Sequence, residues 1–400
     1  MHRLRWLAAP VIIAAAFLGC SEQLTAPANC PAECPGGQTV YDTVLSALPG
    51  SDSSFIGYVK PGQGSSLRVS DQLPASEDRA FVRFTPRSDS VFVAGDSNRA
   101  YTVDSVALEA TLQARDTSVK GLSVYFYRLP LTIDTNSTFA DLDGELNPAN
   151  LLDSVAVSDT LVQGRLRLVL SGSALDRLSF TPADSGRLAI GFRIHALRPT
   201  GIRLASGATG TTGPGFISYV KAAVTDTAKQ HQFLTRGTAQ DGFVSQTVLI
   251  PDPDLLTVGG SPSSRAIIRF KLPEYIQDSV QVLRASLELI PAGPINGLPN
   301  DSVQVEARNV LTDLGAKSPT GALIGGPVGI LEGGADTVRI EMARLVRSWQ
   351  GSSPLPGAVI ISLLPEGSSF SRPVFYSTRS PAGQPRLRIT YAPRFNFQRP

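Results

Sequence analysis

The chain has 400 residues, of which 42% are hydrophobic, so it is long enough to bury more than one hydrophobic core. Its 36 lysines and arginines nearly balance its 34 aspartates and glutamates, and no run of like charge interrupts that balance. The composition therefore excludes a nucleic-acid partner from our expectations, because binding phosphates requires a concentrated basic face.

The first residues have the pattern of an export leader. Arg3 and Arg5 precede an apolar run from Leu7 to Gly19, and this run is too short to span a membrane as a permanent helix. The pattern predicts a secretory signal peptide over residues 1–19. The run ends in FLGC, which resembles the lipobox of bacterial lipoproteins.

This resemblance implies cleavage before Cys20 and lipidation of that cysteine, so that acyl chains hold the exported protein to a membrane. Ser21 follows the cysteine, and this resembles the pattern sorted to the outer membrane of an organism that has two membranes. The alternatives are an ordinary cleaved signal with a chance cysteine, and an uncleaved anchor.

The segment after the leader, residues 20–37, is polar and rich in proline, which predicts a stalk. With Cys20 lipidated, Cys30 and Cys34 in NCPAECPGG are left as a pair in an oxidising compartment. We expect them to form a small local disulfide in the stalk. A metal site is disfavoured, because it would require more ligands and no second Cys or His pair lies nearby.

The rest of the chain shows little helical periodicity. Short alternating runs such as FVRF, LSVYFYRL, GRLAIGFRI, AIIRF, ASLELI and GAVIISLL are separated by clusters of Gly, Pro, Asp and Ser. This pattern is typical of all-β sandwiches. We therefore expect an all-β fold, in which two tandem jelly-roll-like β-sandwich domains follow the signal peptide and the stalk.

The two halves of this region repeat one order of segments. EDRAFVRF and SSRAIIRF share a pattern headed by Arg79 and Arg265, and DSVALEATLQA and DSVQVLRASLELI both follow Asp-Ser-Val. Upstream, SSFIGYVKPGQGSSLRVSD aligns with GFVSQTVLIPDPDLLTVGG. Later, GLSVYFYRL aligns with DSVQVEARNV, and SGRLAIGFRI with PGAVIISLL. A shared order over so many segments indicates duplication of one β module.

The repeat sets the domain boundaries that we expect. They are a first β-sandwich module at 38–228, a linker at 229–240, a second module at 241–393 and a tail at 394–400. The linker is inferred from the polar composition of this stretch, although Phe233 and Leu234 indicate some local packing.

The second copy resembles a known family. RAIIRFKLP, ASLEL, VRIEMARLVRSWQGSSPLPGAVIIS and RPVFYSTRSPAGQPRLRITYAP, in this order, are similar to the DNRLRE-type domain. The resemblance covers residues 243–393 well and 55–224 loosely. It implies a jelly-roll-like β-sandwich of secreted and surface bacterial proteins, related to a carbohydrate-binding module family. We carry over no binding residue from the family.

The sequence offers little catalytic chemistry. His195 and His231 are the histidines after the leader, and alternation in LAIGFRIHA places His195 on a solvated face. No G-x-S-x-G elbow, phosphate loop or H-x-x-x-H pattern occurs. We expect no enzyme activity and no cofactor. A polysaccharide-active enzyme is the less favoured alternative, because glycosidase chemistry needs only two carboxylates.

The acidic loop DTNSTFADLDGE raises the question of calcium. Phe139 occupies the place where a twelve-residue calcium loop needs glycine, so that motif fails. Two interpretations stay open, a looser calcium site made by Asp141, Asp143 and Glu145, and a solvated insertion between strands.

Aromatic side chains give the candidate ligand site. In LSVYFY, Leu122, Val124 and Phe126 are expected to face inward, which turns Tyr125 and Tyr127 outward on one sheet face. Such a pair can stack on a sugar, or it can be ordinary cross-strand packing. Trp349 lies in MARLVRSW on a helical face with other apolar residues, and we expect it in the core.

These observations favour a non-catalytic lipoprotein of the cell envelope with a structural, adhesive or protein-interaction role. A polysaccharide-binding surface lipoprotein is the alternative. The expected partners are the membrane, through the lipid anchor, and a polysaccharide or an envelope protein.

Overall fold

The computed structural model describes residues 39–57, 59, 62–73, 76–95, 97–178, 186–207, 213–247, 252–260, 263–295, 297–298, 304–323, 337–351 and 355–394. Nearly all of the regular structure in these ranges is antiparallel β-sheet, which confirms the all-β class. Cys20, Cys30 and Cys34 lie outside the described residues.

Two sheets enclose a first core, and we call this unit the first sandwich. Sheet I has the strands β3 (Ser66–Asp71), β7 (Tyr101–Arg115), β10 (Gly164–Ser171), β12 (Thr200–Ala205), β13 (Gly215–Ala222) and β14 (His231–Arg236). Its order is β14-β13-β7-β12-β3, with β10 also paired to β7. Sheet II has the order β15 (Thr238–Thr247), β4 (Ser76–Phe84), β11 (Leu188–His195), β8 (Ser123–Leu129) and β9 (Leu151–Ala156).

Two further sheets enclose a second core, and we call this unit the second sandwich. Sheet III has the order β1 (Tyr41–Ser46), β24 (Arg386–Pro393), β18 (Val280–Leu289) and β21 (Val338–Glu341). Sheet IV has the order β2 (Ser53–Ile56), β17 (Ser264–Arg269), β22 (Ala358–Leu364), β19 (Gln304–Val310) and β20 (Thr320–Leu323).

Short elements complete the described fold. Two small strand pairs join β5 (Val91–Phe92) to β6 (Asn98–Arg99), and β16 (Leu255–Thr257) to β23 (Val374–Tyr376). The helices are α1 (Phe139–Glu145), α2 (Ser173–Asp176), α3 (Glu274–Asp278) and α4 (Ala343–Ser348), with 3₁₀ turns at Pro148–Asn150, Thr227–Lys229 and Gly315–Lys317.

Alternation along the strands builds the first core as the sequence predicts. Val124 and Phe126 of β8 are fully buried between sheets I and II, and Leu122 just before β8 joins them. The inward side chains of β11 lie in the same core: Leu188, Ile190, Phe192 and Ile194. Successive strand residues point to opposite faces, so one apolar residue in two is enough to fill the core.

The second core confirms the expected position of the tryptophan. Trp349 follows α4, is buried, and stacks on Phe270 with ring centroids 6.3 Å apart. Leu345 and Val346 of α4 pack into the same core, beside Ala266 and Ile268 of β17.

Sheets II and IV repeat one strand order. The RA-x-x-RF strand, which is β4 in one sheet and β17 in the other, is second from the edge in each. β11 and β22, which aligned by sequence, pair with it on one side. β8 and β19, which also aligned, follow next.

The edge strands differ from the expected domain boundaries. Residues 41–56, which we placed in the first module, form β1 and β2 and pair with β24 and β17 of the second sandwich. We call residues 41–56 the N-terminal arm. Without it, β24 and β17 would each expose a row of unpaired backbone groups; with it, β1 and β2 are the edge strands of sheets III and IV.

The stretch expected as a linker, residues 229–240, also differs. Most of it forms β14 and the beginning of β15, which pair with β13 and β4 of the first sandwich. We call residues 231–247 the internal arm. Phe243 of this arm lies in the first core. The polar composition that suggested a linker reflects edge strands, in which one face meets solvent.

Candidate functional site

The outer face of sheet II carries the two tyrosines that we proposed as a sugar platform. Tyr127 is 7% exposed and packs in a small apolar cluster with Phe81, Leu142 and Leu146. Tyr125 is half-buried at the edge of that cluster. Burial also raises the pKa of the Tyr127 hydroxyl. Both tyrosines face away from the core, but Tyr127 is buried in this cluster, so the pair forms no open stacking surface.

The cover is α1 with the loop around it, and its sequence explains why it folds there. A capping box starts the helix: the Thr138 hydroxyl accepts from the Asp141 amide, and the Asp141 carboxylate accepts from the Thr138 amide at 2.8 Å. This hydrogen bond lowers the pKa of the Asp141 carboxyl. Leu142 then points from α1 into the tyrosine cluster.

The three acidic residues proposed for calcium do not form a ligand set. Asp141 caps α1, and Asp143 forms an ion pair with Arg79 at 2.8 Å. Glu145 accepts a hydrogen bond from the Asn150 side chain at 3.0 Å. Within the described ranges, no group of three or more His, Cys, Asp or Glu side chains is placed to hold a metal ion. The calcium interpretation therefore has no geometric support, because each carboxylate already has a different partner.

The repeated arginines have a structural role. Arg79 is 1% exposed and contacts Asp143, Glu77 and the face of the Phe139 ring, 5.3 Å from its centroid. Arg83, four residues later, donates to the backbone carbonyls of Leu131 and Ile133. Both arginines thus fasten the covering loop to sheet II.

The second copy uses the same two positions. Arg265 makes a bidentate pair with Glu366, with distances of 2.8 and 2.7 Å. Arg269 makes a bidentate pair with Asp313 in the loop between β19 and β20. This pairing lowers the pKa of the Asp313 carboxyl. In both sandwiches, the second arginine of the motif therefore holds a loop: the loop after β8 in the first and the loop after β19 in the second.

A pocket of about 340 Å³ lies beside α1. Its polar lining residues are Arg128, Glu145, Asn150 and Arg187, and residues at the end of β8 and the start of β11 also line it. The guanidinium groups of Arg128 and Arg187 lie in this lining together with the Glu145 carboxylate, and guanidinium groups can bind a carboxylate or another anion. Sequence reasoning missed this pocket, because Arg128 and Arg187 are far apart in the chain and belong to no motif.

The histidines take positions that agree with a surface role. His195 has 65% of its side chain exposed, and its Nδ1 lies 3.3 Å from an Asp71 carboxylate oxygen. His231 is exposed at the start of β14. In the part of the chain that the structure describes, no helix is both long and apolar enough to cross a membrane.

Comparison with known proteins adds little. No family model matches the chain, and no curated protein matches it. The structure of the Macrobrachium rosenbergii nodavirus is similar at 9% identity and a TM-score of 0.15, over 93% of both chains. The C-terminal domain of the Streptococcus agalactiae AgI/II polypeptide BspA is similar at 8% identity and a TM-score of 0.16, over 85% of this chain and 90% of that one. At these TM-scores we infer nothing about this chain from either.

Proposed function

We propose that the protein is a non-catalytic lipoprotein of the bacterial cell envelope, with a structural or adhesive role. It consists of two tandem jelly-roll-like β-sandwiches of the DNRLRE type on a short lipidated stalk. The observation that carries this proposal is the way in which the two sandwiches are fastened to each other.

Arg68 makes a side-chain contact between the two sandwiches. It lies on β3 of the first sandwich, is fully buried, and donates from Nη1 to the carbonyls of Gly260 and Ser369 in the second sandwich, at 2.8 and 2.7 Å. Its guanidinium carbon lies 4.3 Å from the centroid of the Phe243 ring and 5.7 Å from that of Phe370. A buried, charge-assisted contact resists separation of the two units.

The two arms also connect the sandwiches, because each arm pairs with the sandwich of the other repeat. The N-terminal arm belongs by sequence to the first repeat but pairs with the second sandwich, so the chain passes between the units twice. A unit fixed at two strand edges and one buried arginine is suited to transmit position or load from a membrane anchor.

Polysaccharide binding is the second candidate, and the pocket beside α1 favours it. Arg128 and Arg187 offer two cationic groups that can hold the carboxylate of an acidic sugar. The family resemblance points in the same direction. The tyrosine platform is not part of this candidate, because Tyr127 is buried in a cluster with Leu142 of α1.

Metabolic labelling with palmitate tests the anchor. We expect label on the wild-type chain and on Cys30→Ser, and loss of label in Cys20→Ser. Equal label in all three chains, or in none, would refute the lipoprotein assignment.

Native affinity electrophoresis against acidic and neutral polysaccharides tests the role. We expect no retardation, together with reproducible crosslinks from the anchored chain to envelope proteins in cells. Retardation that Arg128→Ala/Arg187→Ala abolishes, and that the exposed control Arg344→Ala keeps, would instead establish the polysaccharide candidate.

A further inference from the structure

The two arms are equivalent in sequence and in register. The alignment of SSFIG with GFVSQ sets Phe55 against Val244. In the structure, Phe55 lies opposite Arg265 and Val244 lies opposite Arg79, and these two arginines are themselves equivalent. Each arm therefore docks on the equivalent strand, at the equivalent position, of the sandwich that the other repeat forms. These strands are β4 for the internal arm and β17 for the N-terminal arm.

A buried aspartate holds each arm at the equivalent place. Asp241 of the internal arm accepts from the Ser206 hydroxyl at 3.0 Å and from the Gly207 amide, in the turn after β12. Asp52, which aligns with Asp241, accepts from the Thr378 amide at 2.7 Å and the Thr378 hydroxyl at 2.6 Å, in the turn after β23. In the sequence alignment, Gly207 corresponds to Thr378, and each of these residues donates its backbone amide to the aspartate of an arm.

One arginine makes the docking of the N-terminal arm specific. Arg379 donates to the carbonyls of Gly50 and Asp52, and lies 3.4 Å from an Asp52 carboxylate oxygen. The corresponding residue of the first repeat is Ala208. The second sandwich therefore has a charged clamp for residues 50–52 that the first repeat does not encode.

The N-terminal arm is also joined to the first sandwich by a single stretch of chain, residues 57–65. Gly57 and Gly62 both have a positive φ, +87° and +83°, so the backbone turns where the arm leaves and where β3 is approached. Within the described ranges, the strand pairing of the arm is with β24 and β17. The arm is therefore a pair of strands that docks on β24 and β17 and is joined to the first sandwich only through residues 57–65.

From these observations we propose that the partner of this protein is a second copy of the same chain, engaged by strand exchange. The N-terminal arm of one copy docks on β24 and β17 of the other, with Asp52 in the Thr378–Arg379 clamp. Exchanging an identical element between copies recreates the contacts of the closed form, so the cost is chiefly the entropy of association.

The exchange between the two repeats is the intramolecular form of the same event. Each arm already completes the sandwich of the other repeat, in one register. Copies held on one surface by their N-terminal ends would favour exchange through a high effective concentration. The exchange itself does not depend on the proposed envelope role, because it rests only on the strand pairing.

Cysteine pairing between copies tests the exchange. Val44 and Arg388 are exposed, lie directly opposite each other on β1 and β24, and are therefore within disulfide reach in the docked arm. The chain from residue 21 onward, with Cys30→Ser and Cys34→Ser, is co-produced as Val44→Cys and Arg388→Cys variants with tags of different length. On oxidation we expect a linked hetero-dimer, which doubles the apparent mass.

Two controls accompany it. Val44→Cys co-produced with Arg339→Cys gives no such dimer, because Arg339 lies on β21 at the opposite edge of sheet III. A chain that carries both Val44→Cys and Arg388→Cys forms a disulfide whether the arm docks on its own chain or on a second copy. Adding Asp52→Ala/Arg379→Ala to both single variants should reduce the hetero-dimer.

Each other result overturns the proposal. A link within the double variant but no hetero-dimer means that the arm stays in its own chain. Equal hetero-dimer with Arg339→Cys means random collision, and no link at all means that β1 is not docked on β24. The palmitate experiment is independent of all three, so failure of the exchange and failure of the envelope role are distinguishable.

Discussion

The RA-x-x-RF strand occurs once in each sandwich, and its first arginine has a different environment in the two. Arg79 is 1% exposed, whereas Arg265 keeps 27% of its side chain in solvent. The two strands have the same place in their sheets and face their cores with equivalent residues, Ala80 and Ala266.

The loop over the outer face accounts for the difference. Between β8 and β9, residues 130–150 include α1 and cover Arg79, whereas β19 and β20 are joined by residues 311–319 alone. The second arginine of the motif ties down this loop in both units. A repeated motif can therefore keep its fastening role while the length of the loop decides how deeply its first arginine is buried.

Removing the N-terminal arm should have the largest effect, and only on one sandwich. Deleting residues 39–57 strips an edge strand from sheets III and IV, and we expect a loss on the order of 5 kcal/mol in the second sandwich. Limited proteolysis should then digest residues 252–394 and spare 62–247. Equal digestion of both regions would contradict the assignment of the arm.

A permuted chain is the matched control for this deletion. Tyr41 lies opposite Tyr391, so residues 39–57 attached after residue 394 through a short loop can form a hairpin with β24. β13 and β14 have this order in the first sandwich. We expect the permuted chain to regain a protected second sandwich.

The next largest effect should come from replacing the first arginine of the motif, and the loss of stability should differ between the two sandwiches. Arg79→Ala removes a buried side chain that pairs with Asp143 and Glu77 and packs on Phe139, so we expect a loss of about 3 kcal/mol in unfolding free energy. Arg265→Ala breaks a partly solvated pair, and we expect a loss of about 1 kcal/mol or less. Urea unfolding measures both, and equal losses would argue against the role given to α1.

The aspartates of the two arms should differ in the same way at a smaller scale. Asp52→Asn weakens charge-assisted contacts with Arg379, and we expect a loss of about 2 kcal/mol. Asp241→Asn faces neutral donors, Ser206 and Gly207, and should cost about 1 kcal/mol. Unfolding at neutral pH compares them, and a greater loss for Asp241→Asn would show that Arg379 adds little.

The smallest effect concerns pH. Burial raises the pKa of the Asp241 carboxyl, although hydrogen bonds from Gly207 and Ser206 act in the opposite direction. An acid with a raised pKa in the folded state stabilises the fold below its unfolded pKa, and this stability is lost as pH rises through the folded pKa. The unfolding free energy of wild type minus that of Asp241→Asn should therefore fall over this interval. A difference that rises with pH would mean that the ionised form is the better bound.

Local pattern was sufficient for much of the fold. The alternation of Leu188, Ile190, Phe192 and Ile194 predicted the core face of β11, and the structure confirms it. The spacing around Trp349 predicted its burial. These inferences succeed because the direction of a side chain along one element depends only on neighbouring residues.

The candidate site was less predictable, because it depends on what covers a face. Alternation turned Tyr127 away from the core correctly, but the tyrosine is buried by a helix that starts at Phe139. Nothing local to LSVYFY indicates that cover. Asp143 looked like a calcium ligand for the same reason, since its partner Arg79 is distant in sequence.

The sequence by itself determined that this protein is all-β, that its segments repeat, and which face of most strands is apolar. Only the tertiary structure decided which sandwich receives residues 41–56. The two arms align in sequence and pair in one register with β4 and β17, so their pattern alone does not assign either arm to one of these strands. The choice rests on contacts such as Asp52 with Arg379, between residues that are far apart in the chain. A pairing between distant strands leaves no periodic signal in either of them.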